Sequence, residues 1–311
     1  MSKEDVKLAE SMHLRHAAPV ISAHFTADGS RLVTATGDDA NIWDTTTGEL
    51  LYACPYVGNV LADALLLPDN RHLFLGDIAF GDSYLRDLTT GAVTTTSTMI
   101  QAQCVALAPA QRGILIASWD DHLRGAVQLL DEQTTQLVRS YATQLDGMIM
   151  RVIVSRDSRR FLALQVCFSV WSDIVGDDVI FLFDLDTGQP LRRFAGPSSM
   201  YDVAFVPGER EVAASYAEGV LWWDIATGEV AGQYRRPHRP ITSLAFAPSG
   251  KVLAVGCEDG TVLLVSWPDL HVLHRFSDQA KRINRLAFSP DGRLLASTSE
   301  DETACLRHVA A

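Results

Sequence analysis

The sequence predicts an all-β fold: a single seven-bladed β-propeller of four-stranded antiparallel blades, spanning residues 1–311 and closed by its own N-terminal strand. Three observations lead there. A turn phrase recurs seven times: FTADG at 25–29, LPDN at 67–70, APAQ at 108–111, SRDS at 155–158, VPGE at 206–209, APSG at 247–250 and SPDG at 289–292. Its Pro, or the equivalent position, repeats at intervals of 41, 41, 47, 51, 41 and 42 residues, and about 40–45 residues is the length of a propeller blade. Short β-type runs fill the space between turns.

Each repeat reads as strands a, b, c and d. Strand a is clearest in MYDVAF (200–205), ITSLAF (241–246) and INRLAF (283–288), where apolar side chains alternate. Strand b follows the turn, as in RLVTAT (31–36), EVAAS (211–215) and RLLAST (293–298). Strand c runs into a repeated phrase: WDTTTG at 43–48, RDLTTG at 86–91, LDEQTT at 130–135, FDLDTG at 183–188 and WDIATG at 223–228. A tight c–d hairpin explains the phrase, because Asp bonds backbone ahead of it and Gly accepts positive φ. The last repeat runs out at Ala311 soon after its strand c, which would expose a sheet edge. Residues 6–14 alternate, with Val6, Leu8, Met12 and Leu14 on one side, and are expected to supply the missing strand d.

The phrases SPDGRLLASTSED (289–301) and SGKVLAVGCEDGTV (249–262), with the Trp-Asp pairs at 43–44 and 223–224, resemble the WD-repeat family of β-propellers across nearly the whole chain. The resemblance implies a structural hydrogen-bond network of His, Ser/Thr, Asp and Trp in each blade. Blade one offers the full set as His16, Thr34, Asp38 and Trp43. Blade six keeps His238 and Asp259 but has Val255 and Val265, and blade seven has Ser297 and Asp301 with Arg307 where Trp would stand. A divergent member is expected, one that leans on apolar packing more than on polar networks.

Composition narrows the function. Hydrophobic residues make up 47% of the chain, enough for a large core, and no run of 18 apolar residues suggests a membrane helix. The start MSKEDVKLAE lacks the apolar core of a signal peptide, so a cytoplasmic protein is expected. The net charge of −12 argues against nonspecific binding to nucleic acid or anionic membrane. Five scattered cysteines suggest neither a disulfide framework nor a zinc knuckle.

Nucleophile-elbow, dinucleotide, P-loop and zinc-protease motifs are missing from the sequence. His271 and His274 fall at an odd offset on a predicted strand d, and DLDTG at 184–188 reads as a turn and not a calcium loop. No cofactor, metal or catalysis is expected. The resemblance implies a protein-binding scaffold, either a monomeric propeller or a subunit of a complex. The rival is a hydrolase or lactonase with a central-channel metal. The channel-lining strands a show few ligands for it: His24, Asp202 and Asn284.

Acidic residues gather in the b–c turns, among them Asp38, Asp77, Asp178, Glu258 and Glu300. Turns favour Asp on their own account; a negative rim would instead steer a partner with a basic surface. The b–c intervals of blades two to four are the longest or most aromatic. They supply the candidate protein-binding anchors Phe80, Trp119, His122, Phe168, Trp171 and Ile174.

Overall fold

A computed structural model describes residues 11–58, 60–78, 83–95, 102–119, 124–166, 177–236 and 239–309, with the side chains at 118, 119, 124 and 142–146 left outside that description. Seven four-stranded antiparallel sheets follow one another around a ring. Blade one runs outward through Ser22–Phe25, Arg31–Ala35, Asp39–Asp44 and Leu50–Pro55. Blade two spans Leu61–Leu66 to Val93–Thr95, blade three Cys104–Ala108 to Leu137–Asp146, and blade four Met148–Val154 to Pro190–Ala195. Blade five spans Met200–Phe205 to Val230–Arg235, and blade six Ile241–Phe246 to Val272–Phe276. Each strand a touches the strand a of the next blade, and that of blade seven returns to blade one.

The recurring Asp phrase builds the c–d hairpins as its chemistry requires. Asp44 Oδ1 accepts the Thr46 and Thr47 amides at 2.8 Å each, and Gly48, at φ 72°, closes the turn onto the Asp44 carbonyl. Asp131, Asp184 and Asp224 repeat the contact with Thr134, Thr187 and Thr227. These amide bonds hold the Asp44 and Asp224 carboxyls below the ordinary aspartate value. Where glycine is missing, Thr135 takes the left-handed conformation at φ 56°.

The core is divided among the interfaces between blades. Seven apolar clusters are present, and each draws its residues from two neighbouring blades. Blades four and five, for example, share Leu162, Ile180, Phe194, Met200, Val212 and Trp223. Blade faces are therefore apolar on both sides, which the almost continuously buried strands b and c provide.

Ring closure follows the same rule. Blade seven comprises Ile283–Phe288, Leu294–Ser299 and Thr303–His308, and its outermost strand is Met12–Arg15. That strand pairs antiparallel with Thr303–His308, Met12 opposite Leu306 and Arg15 opposite Thr303. Leu14 turns inward to join Val20, Leu32, Trp43, Ala296 and Leu306 in the seventh cluster. The strand lies at the C-terminal end of the segment expected from sequence, and residues 6–10 are outside the described residues.

Deleting residues 1–15 is expected to lower the melting temperature and cause self-association, because it bares the Thr303–His308 edge and removes Leu14 from the seam. Sedimentation and thermal melts test this; a monomeric truncation with unchanged melting temperature would contradict it.

Candidate functional site

Strand a of every blade carries one buried side chain at the same register, and three of these, Arg151, Asp202 and Arg285, line the central channel. The seven are Ser22, Asp63, Cys104, Arg151, Asp202, Ser243 and Arg285, and they recur at the same intervals as the turns. All seven are buried. Their placement depends on an irregularity: in blades two, four, five, six and seven the a–b register slips by one residue just before this position. Such a bulge re-aims the side chains that follow it.

These side chains tie each blade to the next. Asp63 Oδ2 accepts the Val105 amide of blade three at 3.0 Å, and Asp202 Oδ2 accepts the Leu244 amide of blade six at 3.1 Å. Ser243 Oγ donates to Asp202 Oδ2 at 2.8 Å and accepts the Leu286 amide of blade seven at 2.9 Å. Arg151 Nε donates to Asp202 Oδ1 at 2.7 Å, and His24 Nε2 lies 2.8 Å from Asp63 Oδ1. Asn284 Nδ2 donates to the Val20 carbonyl at 3.0 Å, joining blade seven to blade one.

Burial shapes the charges. Desolvation alone would raise the Asp63 carboxyl, but the His24 charge and hydrogen bond together with the Val105 amide hold it below the ordinary value. Burial works against the Arg151 charge, which the Asp202 carboxylate more than restores. The Cys104 thiol, buried between Arg151 and Arg285, is pushed up to about 12 by desolvation and stays a neutral thiol, not a nucleophile.

Above this ring the channel opens, on the face where b–c turns emerge, into a cavity of 370 Å³. Its walls include Ile21, Val60, Ile78, Tyr201, Arg282 and Arg285. The opposite mouth is a wider cavity of 820 Å³ lined by Phe205, Phe246 and Phe288 with the turn prolines Pro207, Pro248 and Pro290. The channel thus holds more charge than sequence reasoning assigned to it. His24, Asp202 and Asn284 are present, and Asp63, Arg151 and Arg285 stand with them. The signal available in the sequence was a residue of strand a, polar in six of the seven blades, repeated at the turn spacing.

In blade one, His16 Nε2 lies 2.8 Å from Thr34 Oγ1, which also accepts the Trp43 Nε1–H at 2.8 Å. The His16 ring meets Trp43 edge-on at 5.3 Å. The carboxylate engaged beside them is that of Asp39, which accepts the Thr36 hydroxyl at 2.8 Å; Asp38 donates its amide to Thr36 Oγ1 and keeps an exposed side chain. Blade seven meets the same geometric need differently. Arg307 stands opposite Leu295, as Trp43 stands opposite Leu32. It is fully buried, donates to Ser297 Oγ at 2.6 Å and to Asp278 Oδ1 at 2.7 Å, and lies over Phe276 at 4.8 Å. Gln279 accepts from both Ser297 and Arg307.

Of the candidate anchors, Phe80, His122, Phe168, Trp171 and Ile174 lie outside the described residues, and Trp119 ends strand b of blade three with its side chain likewise undescribed. The acidic turns are less uniform than their sequence suggests. Asp77 and Asp178 are buried, Asp77 accepting the Tyr56 hydroxyl and Asp178 the Met200 amide at 2.7 Å. Asp259 pairs with Arg239. Asp38, Glu258, Glu300 and Glu302 remain exposed. At the clasp seam His13, Asp278 and Cys305 approach one another, but Arg307 engages Asp278, and burial pushes the Cys305 thiol up to about 11.

Comparison with known proteins adds sequence matches. The profile described as "Anaphase-promoting complex subunit 4 WD40 domain" matches residues 199–281, and "WD domain, G-beta repeat" matches residues 270–307. The chain is similar to the "Serine-threonine kinase receptor-associated protein" of Gallus gallus, 23% identical over 81% of this chain and 67% of that protein. It is also similar to the "Telomerase protein component 1" of Mus musculus, 35% identical over 28% of this chain and 3% of that protein. An uncharacterized WD repeat-containing protein of Schizosaccharomyces pombe is 23% identical over 45% of this chain and 33% of its own length.

Two outcomes are expected from this geometry. Asp202→Asn leaves the buried Arg151 guanidinium without its counter-charge and should cost about 3–5 kcal/mol in urea denaturation, with Arg151→Met on the same background recovering part of the loss. A loss below about 1 kcal/mol with purely additive substitutions would mean that the two do not act as a unit. The second concerns pH. Burial, partly offset by Asp39, lowers the His16 pKa below its ordinary 6.5. The unfolded chain therefore binds the proton first, and stability should fall as pH drops through 6.5, levelling off below the folded value. His16→Gln, which copies Gln279 of blade seven, should remove that component; an unaltered slope between about pH 7.5 and 5 in the variant would refute it.

Proposed function

Since the chain is a divergent member of the WD-repeat family of β-propellers, we propose that it is an intracellular scaffold that binds proteins through the face around the cationic channel mouth and performs no catalysis of its own. The observation that carries this reading is the enlargement of b–c intervals on that face. Residues 167–178 separate strands b and c of blade four, whereas only 217–218 separate them in blade five. Within that interval stand Phe168, Trp171 and Ile174; the shorter intervals of blades two and three contribute Phe80 and His122, with Trp119 at the end of strand b. Aromatic anchors of this kind dominate binding energy once a partner encloses them. Exposed Asp38, Glu258, Glu300 and Glu302 would steer a partner with a basic surface and set its on-rate more than its affinity. The names of the similar proteins, a receptor-associated protein and a telomerase component, together with the match to the WD40 domain of an anaphase-promoting complex subunit, support a place in protein assemblies.

The channel chemistry weighs against the metal-dependent alternative. A hydrolase or lactonase centre needs carboxylate, Asn or His ligands converging on one point. Here Arg151, Arg282 and Arg285 line the same space and would repel a divalent cation.

Affinity capture from the native host with wild-type and Trp171→Ala protein, alongside thermal melts of both, tests the scaffold. Capture should weaken by about 2 kcal/mol or more, roughly thirtyfold, with the melting temperature nearly unchanged. A large stability loss with intact capture would remove the blade-four interval from the interface.

A further inference from the structure

The chain carries a net charge of −12, yet the cavity at the channel mouth has the opposite sign. Among the described residues, three guanidinium groups line it, those of Arg151, Arg282 and Arg285, against the single carboxylate of Asp202. Arg151 and Asp202 satisfy each other at 2.7 Å. The other two cations are matched more loosely, Arg285 by one long ion pair with Asp63 and Arg282 by the Tyr201 ring. Arg285 is only 8% exposed, and its Nε has no hydrogen-bond partner among the described residues. Its Nη2 reaches Asp63 Oδ2 and Cys104 Sγ only at 3.9 Å, too far for a hydrogen bond to the carboxylate. Arg282 lies over the Tyr201 ring at 5.1 Å, with no ion pair among the described residues.

A buried guanidinium with an unused donor is costly, and proteins seldom retain one without a partner for it. The cavity is large enough to supply that partner, at the lower end of the range for small-ligand sites. A guanidinium fork matches the planar geometry of a carboxylate. Among the remaining walls, Ile21, Val60, Ile78 and Met150 are apolar and suit a short methylene stem behind a charged head, while Gln103, Thr242 and Asn284 add neutral polar groups.

We propose that this cavity binds a carboxylate on a short aliphatic stem, received by Arg285 and Arg282, and that the group is a glutamate side chain of a protein docked on this face. The assignment rests on the scaffold reading for the identity of the carrier, whereas the anion site itself stands on the channel geometry. A free dicarboxylate offers the same chemistry and is the other source to distinguish.

The test uses the full-length chain at constant ionic strength. Thermal shift and calorimetry are run with glutarate, with a capped Ala-Glu-Ala peptide, with a capped Ala-Lys-Ala peptide and with inorganic phosphate. Saturable binding of glutarate and of the Glu peptide is expected, weakened at least tenfold by Arg282→Gln and by Arg285→Met. Arg282 is partly exposed, so its variant should fold even if the Arg285 variant does not. Glutarate binding without peptide binding would keep the anion site and overturn the protein-borne source. Equal binding of the Lys peptide, tighter binding of phosphate than of either carboxylate, or no loss in Arg282→Gln would overturn the carboxylate site. None of these readouts depends on Trp171, so the failure of one proposal is distinguishable from that of the other.

Discussion

Leu14 and Trp43 meet Ala296 and Leu306 in the seam between the last blade and the first, and the integrity of the ring depends on that contact. Among the described residues, no blade has a core of its own. Each apolar cluster belongs to two blades, so a single open seam leaves two faces wet and uncouples the others in turn. The N-terminal strand occupies this position, so the two ends of the chain are held in one sheet.

The polar ring at the axis does different work. Buried ion pairs add little net stability, since desolvation offsets most of the attraction. What they fix is order and register. Asp63 reaches the amide of Val105, and Asp202 and Ser243 reach those of Leu244 and Leu286. Such contacts form only when neighbouring strands a stand at one height. Apolar seams alone would tolerate sliding by a residue pair; a buried carboxylate that must find a particular amide does not.

Blades one and seven show how far local chemistry can drift while this geometry is kept. In one, an indole donates to a threonine shared with an imidazole; in the other, a guanidinium donates to a serine shared with an amide. Trp43 and Arg307 occupy the same register and are both buried, although one is neutral and the other charged. Arg307 is tolerated because Asp278 and the Phe276 ring surround it. The frame asks for a donor on strand c facing a hydroxyl on strand b, and more than one pair of side chains meets that demand.

The blade count, the c–d hairpins and the closing strand were legible in the sequence because each has a local cause. Turn residues act within four positions, as at Asp44 and Gly48, and alternation declares which residues are buried. Alternation was also what concealed the channel. A one-residue bulge before Asp63, Arg151, Asp202, Ser243 and Arg285 re-aims these side chains, and a bulge breaks the two-residue alternation that tells one face of a strand from the other. Acidic turns looked alike on paper, yet Asp77 and Asp178 are buried while Asp38 is exposed, and Asp39 in place of Asp38 engages Thr36. The sequence by itself determined that there are seven repeating units and how each one turns. Only the tertiary structure decided which charges face one another across the axis, because those pairs join blades dozens of residues apart and their meeting is set by ring closure, not by any neighbour in the chain.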